Sequence, residues 1–176
     1  MAGIDPSRSF KPINIAVLTV SDTRTRENDT SGDLLEERLT KAGHRLAARE
    51  IVRDDIPLIR KFVTGWIADP NVDAVITTGG TGLTGRDVTV EALRPLFDKE
   101  IDGFSAVFHQ VSYGTVGTST LASRATAGLA RGTLIFCLPG STGACKDGWD
   151  SILQYQLDSR HRPCNLVELI PRLLET

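Results

Sequence analysis

The chain has 176 residues, of which 20 are basic and 22 acidic, giving a formal net charge of -2; such a balance provides no cationic field for a nucleic-acid backbone or an anionic membrane. With 40% apolar and 24% charged residues, the composition is that of a folded globular domain, and the length suits one core rather than two. Cys137, Cys145 and Cys164 form no C-x-x-C pair and the three histidines stand singly, so there is no zinc set or disulfide framework to read, and a reduced, cytoplasmic setting is expected.

Residues 1–12, MAGIDPSRSFKP, lack the apolar run of a signal peptide and read as a mobile N-terminal arm ahead of a single domain at 13–176. Ile13 to Val20 is a continuous β-branched and apolar run, the pattern of a strand buried on both faces. Thr30-x-x-Asp33 matches a capping box for a helix from about Ser31 to Ala42, with Gly43 as its terminator. Leu46 to Val52 predicts a second strand. Asp54 and Asp55 can then cap a helix carrying Ile59, Phe62, Val63, Trp66 and Ile67 at spacings of three and four, closed at Pro70. Val72 to Thr78 is a third strand leading into TTGGTGLTGRDVT, after which Thr89 is placed to cap a helix through Leu93 and Leu96.

Phe104, Val107, Phe108 and Val111 predict a short helix before a turn from Tyr113 to Ser119, and Leu121 to Ala130 reads as another helix ended by Gly132. Thr133 to Leu138 is a fourth buried strand, again entering a glycine turn, Pro139 to Thr142. Trp149, Ile152 and Leu153 mark a further helix and Leu166 to Leu174 a last one; Arg160-His161-Arg162 between them reads as a solvated turn or a subunit contact. The alternation predicts an α/β fold, a three-layer α/β/α sandwich around a mostly parallel, Rossmann-like sheet.

In such a sheet ligands bind beyond the carboxyl ends of the strands. Those ends are Ser21-Asp22, Arg53-Asp54, Thr78 to Asp87 and Pro139 to Thr142. Gly80, Gly82 and Gly85 spell the dinucleotide fingerprint G-x-G-x-x-G, but the fingerprint also needs an acid at the end of a strand about 20 residues on, and that interval reads as helical up to Glu100. Gly80 to Asp87 equally falls short of a P-loop, because Arg86 and Asp87 stand where Lys and Ser/Thr belong. The residue types suit a third scheme: Gly79, Gly80, Thr81 and Gly82 hold phosphates through backbone amides, and Asp87 ligates Mg²⁺, a hard cation that takes carboxylate oxygen. The plainer alternatives are a tight turn for the glycines, helix caps for Asp54 and Asp87, and an exposed helix face for Ser123 and Arg124.

The stretches ITTGGTGLTGRDVTVEAL, TSTLASRATAGL and TLIFCLPGSTGACKDGW together resemble the MoaB/Mog molybdopterin-binding family, and LDSRHRPCN looks like a bacterial branch of it, over Ile13 to Asn165. The resemblance implies the molybdopterin-binding fold, assembly into homo-oligomers, trimers or hexamers, and a place on the path to molybdenum cofactor. Catalytic relatives are nucleotidyltransferases that attach AMP from Mg·ATP to the terminal phosphate of molybdopterin and release pyrophosphate. Carried over by motif, Gly79, Gly80, Thr81 and Gly82 match the phosphate loop, with Ser21 and Asp22 beside it. Asp87 and Asp54, or Asp55 in place of Asp54, match the acids that serve catalysis and Mg²⁺. Ser123, Arg124, Pro139, Gly140, Ser141 and Thr142 match the molybdopterin side. P-G-S-T stands where catalytic relatives read P-G-x-P, and Leu83-Thr84-Gly85 precedes Arg-Asp in place of the more usual residues. Adenylyl transfer to molybdopterin is the expected function; a non-catalytic molybdopterin carrier and, more remotely, a nicotinamide oxidoreductase are its rivals.

Overall fold

A computed structural model describes residues 2–175; Met1 and Thr176, which the expected arm and domain include, lie outside the described residues. The strands are β1 (Gly3–Ile4), β2 (Asn14–Val20), β3 (Arg45–Val52), β4 (Ala74–Thr78), β5 (Lys99–Glu100), β6 (Thr126–Ala130), β7 (Thr133–Leu138) and β8 (His161–Arg162). Six of them form one sheet in the order β3-β2-β4-β7-β6-β5. The first four are mutually parallel, while β6 and β5 add antiparallel at one edge.

Alternation along these strands divides the core into two layers, as a sheet covered on both faces requires. Ile15, Val17, Ala74, Ile76, Leu134 and Phe136 face one side, where α1 (Thr30–Lys41), α4 (Asp102–Val116) and the segment beginning with α5 (Thr142–Gly148) bury Leu35, Leu39, Phe104, Phe108 and Trp149. Ala16, Leu18, Val75, Ile135 and Cys137 face the other, against Ile59 and Val63 of α2 (Ile56–Ala68) and Ala92 and Leu93 of α3 (Thr89–Leu93). Because α1 and α2 leave on opposite faces, strand order reverses between β2 and β4. This switch point opens a crevice at the carboxyl ends of the strands.

Several expectations change: α4 runs on to Val116 through the turn expected from Tyr113, and His161–Arg162 of the expected solvated turn form β8. Leu121 to Ala130 is not a helix: a 3-10 turn, Gly117–Ala122, precedes β6, and β6 turns into β7 through Arg131 and Gly132, both at positive φ (48° and 86°). Two residues of positive φ joining antiparallel strands make a tight hairpin, and its pairing overrides the helix preference of a Leu- and Ala-rich segment. The cap of α1 is Asp29, whose side chain accepts from Gly32 N, rather than Thr30. The arm is docked: β1 pairs with β8, and Phe10 packs 5.1 Å from His44, ring to ring. The last helix is a 3-10 stretch, Val167–Arg172, with Pro171 inside it. No helix among the described residues is long and apolar enough to cross a membrane.

Candidate functional site

The carboxyl ends of β2, β4 and β7 bring Ser21, the glycine loop and Pro139-Gly140 to the rim of a cleft of about 340 Å³. Gly79 has φ +100°, and a Cβ there would stand 2.1 Å from Val20 O; a Cβ on Gly140 would meet Gly79 Cα at 3.2 Å. The close approach of the first loop to β2 therefore depends on Gly79 lacking a side chain, and a side chain at Gly140 would crowd the Gly79 backbone.

The carbonyls of the glycine loop all have donors on the protein side. Gly79 O accepts from Thr89 Oγ1 at 2.8 Å, Gly80 O from Thr89 N at 2.9 Å, Thr81 O from Arg124 N at 2.9 Å and Gly82 O from Arg124 Nε at 2.9 Å. Among the described residues the amides of Gly80 and Thr81 donate to no protein acceptor. The second loop repeats the arrangement: Pro139 O accepts from Thr78 Oγ1 at 3.0 Å, Gly140 O from Ser31 Oγ at 2.8 Å and Ser141 O from Cys145 N at 3.1 Å, with the Gly140 and Ser141 amides left over. Since every backbone N–H needs an acceptor, two loops with bound carbonyls and spare amides at one cleft form a nest for an anion. Ser123 Oγ, which borders the same cleft, is buried and has no partner.

The acids divide by role. Asp55 is the N-cap of α2, accepting from Leu58 N at 2.9 Å, which leaves Asp54 as the residue in the cleft. No side-chain donor among the described residues hydrogen-bonds the Asp54 carboxylate, and burial together with the nearby charges of Asp22 and Asp87 outweighs the Asp22 backbone amide and the Arg86 charge and pushes its pKa above the ordinary carboxylate value. Asp87 also lines the cleft; Thr84 donates to its Oδ2 from the hydroxyl at 2.6 Å and from the amide at 2.8 Å, holding it ionised. Asp22 is engaged by Arg86, whose Nε and Nη2 reach it at 2.9 and 2.7 Å and hold its pKa low. Among the described residues no group of three or more His, Cys, Asp or Glu forms a metal cage. Two carboxylates, one with no cationic side chain bonded to it among the described residues, still suit Mg²⁺, which keeps several waters and takes one or two carboxylates beside substrate phosphates.

Of the residues singled out by sequence, Ser21, Asp54, Gly79 to Gly82, Asp87, Ser123, Pro139 and Gly140 line one cleft. Arg124 and Asp22 are turned to protein partners, and Thr142 Oγ1 hydrogen-bonds Thr30 Oγ1 at 2.8 Å. Ser141 caps α5, accepting from Ala144 N at 3.2 Å, and borders a second cavity of about 420 Å³ that meets the first at Ser123 and Pro139. Sequence reasoning missed this second chamber, whose polar walls are Ser112, Thr115, Thr120, Lys146 and Asp147. The available signal was Ser112 and Thr115 breaking the apolar face of α4 one turn beyond Phe108. The strand holding an acid that a dinucleotide site requires is also missing from the cleft: β5 carries Glu100, but at the far edge of the sheet.

Residues 16–159 match the family described as "probable molybdopterin binding domain". The chain is 51% identical over 159 residues to molybdenum cofactor biosynthesis protein B of Escherichia coli K12, covering 90% of this chain and 94% of that one. It is 47% identical over 135 residues to the protein of the same name from Bacillus subtilis 168, covering 76% and 79%. A crystal structure of a molybdenum cofactor biosynthesis protein B superposes with a TM-score of 0.85 at 38% identity over 96% of this chain and 100% of that one. The tungsten cofactor synthesizing protein MoaB of Pyrococcus furiosus superposes with a TM-score of 0.74 at 41% identity, over 81% and 91%. Fold, motif and likeness agree: the chain belongs to the molybdopterin-binding family, within its MoaB group.

Proposed function

We propose that the protein acts in molybdenum cofactor biosynthesis by binding molybdopterin and adenylylating it with Mg·ATP, releasing pyrophosphate. The observation that carries this reading is the pair of glycine turns with bound carbonyls and spare amides at one cleft, which Asp54 and Asp87 also line. The molybdopterin phosphate oxygen attacks the α-phosphorus of ATP; the new P–O bond forms as the bond to the β-phosphate oxygen breaks, and pyrophosphate leaves with the electron pair. The nucleophile is already an anion, so no general base is required, which suits a cleft without histidine.

Gly80 and Thr81 amides hold nucleotide phosphates; Ser123, with its unpartnered hydroxyl, and the Gly140 and Ser141 amides hold the pterin phosphate, whose ring system extends into the second cavity over Ser112 and Thr115. Asp54 and Asp87 hold Mg²⁺, which supplies neutralisation of the charge that gathers on the leaving pyrophosphate. The same reading makes the protein a cytoplasmic homo-oligomer, a trimer or hexamer, to be checked by light scattering.

Incubating the protein with molybdopterin, ATP and Mg²⁺ should release pyrophosphate in step with adenylylated product. Asp87→Ala should lower the rate roughly a hundredfold or more, the scale of losing one oriented electrostatic contact; near-parental turnover removes Asp87 from the mechanism. A second reading, a carrier without chemistry, is favoured by the Pro139-Gly140-Ser141-Thr142 turn, whose two hydroxyls are spent on Ala144 N and Thr30. Tight molybdopterin binding with no pyrophosphate released selects the carrier.

A further inference from the structure

Arg124 sits one residue from the cleft and yet does not face it. Its guanidinium forks onto two carbonyls of the loop, Nε to Gly82 O at 2.9 Å and Nη2 to Asp87 O at 3.1 Å, while its own amide donates to Thr81 O at 2.9 Å. The remaining edge of the fork is taken by the Glu91 carboxylate, which also neutralises its charge. One residue at the mouth of β6 thus ties down three carbonyls belonging to a segment with glycine at 79, 80, 82 and 85, a segment with little stiffness of its own.

We propose that Arg124 is a positioning residue for the cleft: it contacts no ligand, and acts by holding the carbonyls of Thr81, Gly82 and Asp87 so that the turn from Gly82 to Asp87 stays closed and the Asp87 carboxylate faces into the cleft. This rests on the reading of the cleft as a phosphate and Mg²⁺ site. A peptide plane whose oxygen is fixed on one side presents its N–H on the other, so anchoring Thr81 O and Gly82 O sets the direction of the Gly82 and Leu83 amides, while Thr89, which holds the Gly79 and Gly80 carbonyls, sets that of the Gly80 and Thr81 amides. The planar fork is what allows one side chain to reach two carbonyls from different turns of the loop; a lysine ammonium, a single compact donor, lacks that geometry. The backbone bond to Thr81 O does not depend on the side chain, so Arg124→Lys loosens only the Gly82 to Asp87 portion.

The test is amide hydrogen exchange of peptides spanning residues 79–88 in the intact protein, comparing the parent with Arg124→Lys and Glu91→Gln and following the melting temperature in parallel. Arg124→Lys should speed exchange in this loop by about tenfold, the effect of losing two hydrogen bonds from a local opening equilibrium, with the sheet and the melting temperature nearly unchanged. Glu91→Gln, which leaves both carbonyl bonds in place but frees the other side of the fork, should give a smaller effect at the same peptides and serves if the lysine variant folds poorly. Unchanged loop exchange in Arg124→Lys overturns the proposal, as does faster exchange spread over the whole sheet. A second readout is the apparent Mg²⁺ requirement for ATP binding by calorimetry. It should rise severalfold in Arg124→Lys, and the same substitution should have little further effect in an Asp87→Ala background, since residues acting through one another are non-additive. Equal losses in both backgrounds overturn the proposal by making Arg124 a direct ligand contact. Exchange needs no turnover, so it decides the role of Arg124 even where the protein releases no pyrophosphate.

Discussion

Two carboxylates close to the end of β2 have opposite environments. Asp29, 0% exposed, caps α1 and is surrounded by donors: Thr19 Oγ1 at 2.7 Å, Gly32 N at 3.0 Å and Arg49 Nη2 at 2.8 Å. Burial works against its charge, but these partners outweigh burial and lower its pKa; Arg49 is in turn raised by Asp29, Glu36 and Asp33, again against its own burial. Asp54 has the Asp22 backbone amide but no hydroxyl or cationic side chain hydrogen-bonded to it among the described residues, and burial and two neighbouring acids raise its pKa. The same functional group is a finished structural element in one place and an open valence in the other. What separates them is whether the chain supplies the cation: Arg49 is bonded to Asp29, and no cationic side chain is bonded to Asp54 among the described residues.

The largest effect that bears on this contrast is Arg49→Ala. Removing one partner of a buried, hydrogen-bonded pair leaves an uncompensated charge and should destabilise by about 3–5 kcal/mol in urea denaturation. Asp29 has a folded pKa below its ordinary value of 3.8, so the stability it contributes is present above pH 3.8 and is lost as pH falls through the lower folded value. The cost of Arg49→Ala should therefore be full at pH 7 and shrink in acid. A loss below about 1 kcal/mol, in the range of exposed pairs, would erase the contrast by showing that Asp29 finds solvent or another cation.

Thr19→Val should give a smaller loss, about 1–2 kcal/mol in the same measurement, because it removes one of three partners of Asp29 while keeping shape and the Arg49 pair. An effect as large as that of Arg49→Ala would place the weight of the cluster on the hydroxyl rather than on the cation.

Sequence periodicity made the parallel half of the sheet legible, because β2, β4 and β7 are buried on both faces and read as unbroken apolar runs. It failed at β6, where Ala125 to Ala130 carries helix-favouring residues and the deciding signal was the two-residue Arg131-Gly132 turn at positive φ. The cleft was legible where chemistry is written in residue type, in the glycines and in Asp54 and Asp87. It was not legible where two residues of like type exchange roles through geometry: Asp54 and Asp55 differ only in which one faces α2. Arg124 was likewise expected to face the cleft and instead bonds to the loop that lines it, since sequence cannot tell an arginine that reaches for a ligand from one that grips backbone carbonyls.

The smallest effect is also the one of opposite sign. Asp54→Asn removes a charge that folding disfavours, and the backbone bond from residue 54 N to Asp22 Oδ1 survives the substitution. The folded state disfavours the ionised form of Asp54, so at pH 7 the variant should be more stable by about 0.5 kcal/mol, at the limit of surface substitutions. A folded pKa raised above 3.8 means that the folded state keeps its proton to higher pH, so the penalty grows as pH rises from 3.8 and is absent below it, where both states are protonated. Melting curves of parent and variant should therefore separate at pH 7 and coincide near pH 3. Adding Mg²⁺ and ATP should reverse the order at pH 7, because a ligand that binds only the parent's cleft stabilises the parent by mass action. A variant less stable than the parent without ligand would mean that Asp54 already has its partner, and that the cleft resembles the Asp29 cluster after all.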